Sequence, residues 1–191
     1  MSESIQHQSG REGARTIRVW DPLVRLIHWS VVLGILLNAA VTDPEGMLHE
    51  YVGYAVLGLV LLRLAWGVLG PAPARFSAFP FSPNAAVRHV RDTVRGDRLV
   101  HLSHNPLGAL MVYNIWMTLG VICATGIMMG TTAFFGVGWV EDVHELAFNW
   151  LMLSVVLHVF GVLLDQRRTG VALVKAMVSG DKNIPDGWST K

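Results

Sequence analysis

The chain has little cysteine and little charge. Cys123 is the only cysteine and sits in an apolar run, which excludes an internal disulfide. Only 15% of the 191 residues are charged while 52% are hydrophobic, well short of the roughly one quarter charged that soluble domains carry. No internal repeat or low-complexity tract interrupts the chain. No apolar signal core with a cleavage site precedes the first long hydrophobic run, and residues 1–17 are polar. The net charge of +1 says little about partners; the distribution of that charge says more.

Four apolar stretches are long enough, or nearly so, to cross a bilayer as helices: about 23–41, 47–69, 106–129 and 141–164. Asp43-Pro44 ahead of the second and Asn105-Pro106 ahead of the third place a capping residue before a proline at the first helical position. The expected fold is all-α, an integral membrane four-helix bundle with short amphipathic surface helices. Residues 1–17 are expected to form a flexible tail, 18–168 the membrane domain and 169–191 a C-terminal segment.

Two of the connections lack lysine and arginine, and this absence orients the bundle. Arg11, Arg15, Arg18 and Arg25 flank the first span; Arg75, Arg88, Arg91, Arg95 and Arg98 fill the long second loop. Arg167, Arg168, Lys175, Lys182 and Lys191 follow the fourth span. The connections at 42–46 and 130–140 carry none and are bordered by Asp43, Glu45, Glu141 and Asp142. By the positive-inside rule both termini and the long loop are expected in the cytoplasm.

Histidines on this topology fall at two depths. His28 lies in the first span and His158 in the fourth, both toward the cytoplasmic side; His49 and His144 open the second and fourth spans on the other side. His144 and His158 are separated by about 21 Å along a helix axis and share a face to within about 40°. Ionisable groups inside hydrocarbon are rare and costly, so four at matched depths call for a role. Two imidazoles facing each other can hold the iron of a flat macrocycle, and no C-x-x-C-H is present for covalent attachment. His28/His158 and His49/His144 are therefore the expected axial pairs for two non-covalent haem b groups. A zinc site is a poor alternative, because neither pair has a cysteine or carboxylate near it at mid-membrane depth.

The stretches "RVWDPLVRLIHW", "HEYVGY", "HNPLGALMV" and "VHELAFNWLMLSVVLHVFGV" resemble the bacterial cytochrome b561 family, which includes the b-type cytochrome subunits of nickel-iron hydrogenases. The resemblance covers roughly residues 18–165. It implies a four-helix bundle with two b haems that moves electrons between quinone and a partner, and it points by position to the same four histidines. On this reading the partners are membrane lipid, quinone and a periplasmic redox protein such as a cytochrome c. The alternatives are a superoxide:quinone oxidoreductase acting alone, a membrane-anchor subunit of a hydrogenase-like complex, or a non-redox assembly subunit.

Other residues carry lesser expectations. Arg25 and Arg63 are placed to contact haem propionates or to snorkel to headgroups. His104, just ahead of the third span, is expected at the surface as a weak rival ligand, a propionate contact or part of a quinone site. His89 and His101 are expected in solvent and His7 in the tail. Gly34, Gly53, Gly120 and Gly161 serve either porphyrin approach or helix packing. Trp20, Trp29, Trp66, Trp139 and Trp150 read as interfacial anchors, and Asn38, Asn114 and Asn149 as interhelical links. Residues 82–98 are predicted to form an amphipathic helix on the anionic leaflet rather than a nucleic-acid site. Val171, Leu173, Val174 and Met177 suggest a second surface-lying helix.

Overall fold

A computed structural model describes residues 15–97 and 99–190. The positions read above as tail residues 1–14, with His7 and Arg11, and also Arg98 and Lys191, lie outside the described residues. In chain order the elements are β1 (Arg15–Arg18), α1 (Pro22–Ala40), α2 (Met47–Leu69), α3 (Pro83–Val94) and β2 (Leu99–Val100), then α4 (Pro106–Met129), α5 (Gly138–Thr169), α6 (Leu173–Ser179), β3 (Asp181–Ile184) and β4 (Ser189–Thr190). Four of these helices, α1, α2, α4 and α5, are long and apolar enough to cross a membrane. Their outward faces carry exposed Leu26, Leu33, Leu61, Leu157 and Phe160, the pattern of a lipid-facing surface.

Local chemistry sets the helix starts. The Asn105 side chain accepts from the Gly108 N–H at 2.7 Å with Pro106 at the first helical position, as the Asn-Pro pair predicts. Asp21-Pro22 does the same for α1, its carboxylate accepting from the Leu23 and Val24 amides at 3.0 Å each. The expected cap at Asp43 is displaced: α2 starts only at Met47 behind Gly46, and Asp43 instead holds the tight turn before it through the Glu45 and Gly46 amides.

In the bundle α1 packs on α2, α4 on α5, and α2 on α4. Gly34 lets the first of these contacts form, because a Cβ there would lie 2.5 Å from Val56 Cγ2; its purpose is helix packing. A mid-depth aliphatic layer of Val56, Val60, Leu119 and Leu151, flanked by Val31, Ile35 and Val155, fills the centre. Asn114 ties α4 to α5, donating to Ser154 Oγ at 2.8 Å and accepting from Trp150 Nε1 at 2.9 Å. Trp150 is thus an interhelical link well inside α5, and Asn149, expected to be one, is exposed.

The two short connections lie at one end of the bundle; the long loop, α3, α6 and the strands lie at the other. At this loop end β1 pairs antiparallel with β3 and β2 parallel with β4. Arg15–Ile17 therefore belong to a strand and not to the flexible tail read for residues 1–17. Trp20 is no interfacial anchor: it is buried with Val19, Val24, Ala74 and Ala176. The segment after Arg168 does not lie flat either. Val171 is fully buried with Val100 and Ile184, since the seven-residue α6 is pinned between α5 and β3. α3 forms as predicted and rests on α4 through Ala86, leaving Val87, Val90 and Val94 exposed.

Candidate functional site

The four intramembrane histidines all project into the bundle and are half-buried. His49 on α2 faces His144 on α5, with ring centres 6.3 Å apart and planes inclined by 57°. Thr125 Oγ1 lies 2.9 Å from His144 Nδ1, and Thr42 Oγ1 lies 3.3 Å from His49 Nδ1. Gly126 on α4 lies beside the His144 ring, where a Cβ would make an ordinary contact of 3.5 Å with Cε1. On the loop side of the aliphatic layer, His28 on α1 and His158 on α5 are close enough to interact electrostatically. The His28 Nδ1 is buried with no hydrogen-bond partner among the described residues. Both pairs bridge to α5 from a helix that is not among its close packing partners.

Both arginines are anchored on backbone carbonyls at the loop end. Arg63 does not snorkel: it is only 6% exposed, donates to the Ala74 carbonyl at 3.0 Å and lies over the Trp116 ring. Its other terminal nitrogen, Nη1, has no partner. Arg25 donates to the Val178 carbonyl, and its Nε is likewise buried without a partner. Each guanidinium thus keeps an uncommitted N–H at the loop end, where an anionic group could be received.

His104 departs most from the sequence reading. It is wedged between Trp20 and Phe79, at ring-centre distances of 5.0 and 4.7 Å, in place of the expected mobile surface position. Burial, and then Lys182, Arg63, His158 and His28 around it, push its pKa down to about 3. These neighbours place His104 beside the His28/His158 level. Lys182, also missed, is 4% exposed and donates to the carbonyls of His101, Leu102 and Ser103 at 3.1, 2.7 and 3.0 Å. Burial lowers its pKa to about 8, with Asp165 opposing the shift. His89 is half-buried against His101 with ring centres 5.1 Å apart, so neither is simply solvated.

The lowered pKa of His104 makes the loop end acid-sensitive. The unfolded chain takes up this proton near pH 6.5 and the folded chain only near pH 3, so stability is lost as pH falls through that window. The contribution lost by pH 5 is about 2 kcal/mol. Thermal unfolding of the purified protein is expected to move down between pH 7 and pH 5, and His104→Leu is expected to flatten that dependence.

The profile of the prokaryotic cytochrome b561 family matches residues 19–180, from just after β1 to just past the end of α6. No curated protein matches the chain significantly.

The residues present suit the group that this family holds. Among the described residues no three His, Cys, Asp or Glu side chains converge as a metal ion held by protein alone requires. The histidines come in twos, which is what an iron already bound by four pyrrole nitrogens needs. The His49 and His144 ring centres are 6.3 Å apart, and these two imidazoles would hold the iron of a b-type haem between them. Gly53 on α2, four residues past His49, and Gly161 on α5, three past His158, have open space where a Cβ would stand. By the length of the match, and by a bundle whose paired histidines suit a b-type haem, the chain belongs to the prokaryotic cytochrome b561 family, the membrane cytochromes that carry electrons on haem b.

Proposed function

We propose that the chain binds two b haems, through His49/His144 near one membrane face and His28/His158 near the other, and passes electrons between the quinone pool and a periplasmic redox protein such as a cytochrome c. The observation that carries this reading is the His49–His144 pair, two rings 6.3 Å apart on helices that are not close packing partners. Bound haem iron supplies the one-electron redox change; the protein supplies ligands, position and dielectric. The aliphatic layer of Val56, Val60, Leu119 and Leu151 would keep water and ions from the middle of the path between the two levels. Arg25 and Arg63 would hold propionates with the N–H groups they keep uncommitted. The quinone headgroup is assigned to the loop end, where Phe79, Tyr113 and Trp116 surround Arg63 and His104.

Orientation follows from charge. Arg75, Arg88, Arg91, Arg95, Arg167, Arg168 and Lys175 gather at the loop end, and we place that end in the cytoplasm of a bacterium with the chain in the inner membrane. The short-connection end would then meet the periplasmic partner, and its Asp43, Glu45, Glu141 and Asp142 suit a basic protein surface better than an anion such as superoxide.

The test is haem quantification by pyridine haemochromogen on the purified protein, followed by reduction with a quinol in proteoliposomes and reoxidation by an external cytochrome c. Two b haems per chain, reduced by quinol and reoxidised from the short-connection side, are expected. Folded protein without haem would remove the reading. Rapid haem reduction by superoxide with no partner present would replace it with the oxidoreductase alternative.

A further inference from the structure

One feature distinguishes the two histidine pairs: a threonine hydroxyl lies on Nδ1 of both His49 and His144, whereas Nδ1 of His28 is unpartnered. The direction of those two bonds can be worked out. Thr125 Oγ1 lies 2.8 Å from the Val121 carbonyl, 3.0 Å from the Ile122 carbonyl and 2.9 Å from His144 Nδ1. A hydroxyl has one hydrogen, and carbonyl oxygens only accept. The Thr125 hydrogen therefore goes to its own helix, and His144, whose ring also bonds the Ile122 carbonyl, is the donor at Thr125 Oγ1. Thr125 is 5% exposed, so no solvent competes for the position.

The same logic holds across α1 and α2. Asn38 Nδ2 donates to the His49 carbonyl at 3.0 Å, which turns its Oδ1 toward Thr42. Thr42 Oγ1 donates to that oxygen at 3.2 Å and so accepts from His49 Nδ1, 3.3 Å away. Asn38, Thr42 and His49 close a ring of three hydrogen bonds. In both histidines Nδ1 carries the hydrogen, and the lone pair is on Nε2.

We infer that Thr125 and Thr42 are positioning residues that fix the Nδ1–H tautomer of His144 and His49, present both Nε2 lone pairs to the metal, and make this the lower-potential of the two haem sites. An imidazole whose N–H is donated to an oxygen is a stronger base, and a stronger base favours ferric over ferrous iron. The His28/His158 site lacks this bond at His28, and it lies near Arg63 and Lys182, whose positive charge favours the reduced, less positive iron. Both contributions order the sites the same way, the short-connection site lower and the loop-end site higher in potential.

This inference rests on the di-haem reading, and its test separates the two. Redox potentiometry followed at the haem α band is carried out on the full chain and on Thr125→Val, Thr125→Ser and Thr118→Val. The haem missing from His144→Ala identifies which of the two titrations belongs to this site. Thr125→Val is expected to raise the lower midpoint so that the reduced-to-oxidised ratio at fixed poise increases about tenfold, which is about 59 mV for one electron. Thr125→Ser should restore the wild-type value. Thr118→Val, whose hydroxyl bonds only the Asn114 carbonyl of its own helix, should leave both midpoints in place. If Thr125→Val does not fold with haem, Thr42→Val carries the same expectation. Two bound haems with unchanged midpoints in the Val variants, or a shift confined to the higher one, would overturn the inference. Absence of haem from the wild type would instead remove the reading beneath it.

Discussion

Replacing His158 with alanine is expected to lower the haem content from two per chain to one, and His144→Ala is expected to do the same at the other level. The double variant should carry none. The expectation follows from the geometry: His144 and His158 sit on one helix, α5, but each faces a different partner, His49 on α2 and His28 on α1. A haem that lost one of the two histidines would be left with one, and among the described residues no third His, Cys, Asp or Glu joins His49 and His144 to replace it. Near His28/His158 a further imidazole is that of His104, held between Trp20 and Phe79. The measurement is haem per protein by pyridine haemochromogen, with helical content by circular dichroism as the check on folding. Two haems retained in both single variants would sink the ligand assignment. Retention in His158→Ala that disappears on adding His104→Leu would reassign the sixth position at that level to His104.

The second large effect is expected at Gly180, which joins the C-terminal segment to the start of α1. Its φ is +94°, and a Cβ there would lie 2.8 Å from the Trp20 carbonyl oxygen. Its own carbonyl accepts from the Val19 and Trp20 amides at 2.9 and 3.0 Å. A β-branched side chain must therefore adopt left-handed backbone and also push away the segment to which the residue is bonded. The combined cost of Gly180→Val is about 3 kcal/mol or more from strain and two strained hydrogen bonds. The bundle has its own core, so the loss should be local: β3 peels from β1, and Lys182 loses its three carbonyl partners. Limited trypsin digestion should cut the variant at Lys182 well before the wild type does, with both haems retained. Gly138→Ala, at a position where a Cβ meets nothing within 4 Å, is the matched control. Wild-type resistance in Gly180→Val would show that this contact does not hold the segment.

Both predictions depend on features that differ in how early they can be read. The four spans, the two depths of histidine and the gathering of arginine and lysine at alternate connections are already present in the chain as text. Each is a local property: run length, residue period and loop composition decide it without reference to any distant residue. The spacing between His144 and His158 belongs to this class, because one helix alone sets their separation and common face. So does the cap at Asn105-Pro106.

Tertiary structure decided the rest, and the reason is the same in each case. Asp43-Pro44 has the same pattern as Asn105-Pro106 yet holds a turn, because α2 begins three residues later. Arg63 is a snorkelling side chain by position and a buried one in fact, because the loop carbonyl of Ala74 and the ring of Trp116 come to meet it. His104 was expected at the surface because it precedes a helix; Trp20 and Phe79, 84 and 25 residues away in the chain, enclose it. Thr42 and Thr125 have no sequence signature at all, since their importance lies in which histidine nitrogen they touch. The sequence by itself determined that this is a four-span membrane bundle with paired histidines, because periodicity and charge asymmetry act within a single helix or loop. Only the packed fold decided which polar groups are enclosed and which way their hydrogens point, because burial and hydrogen-bond direction are set by residues the chain brings together from far apart.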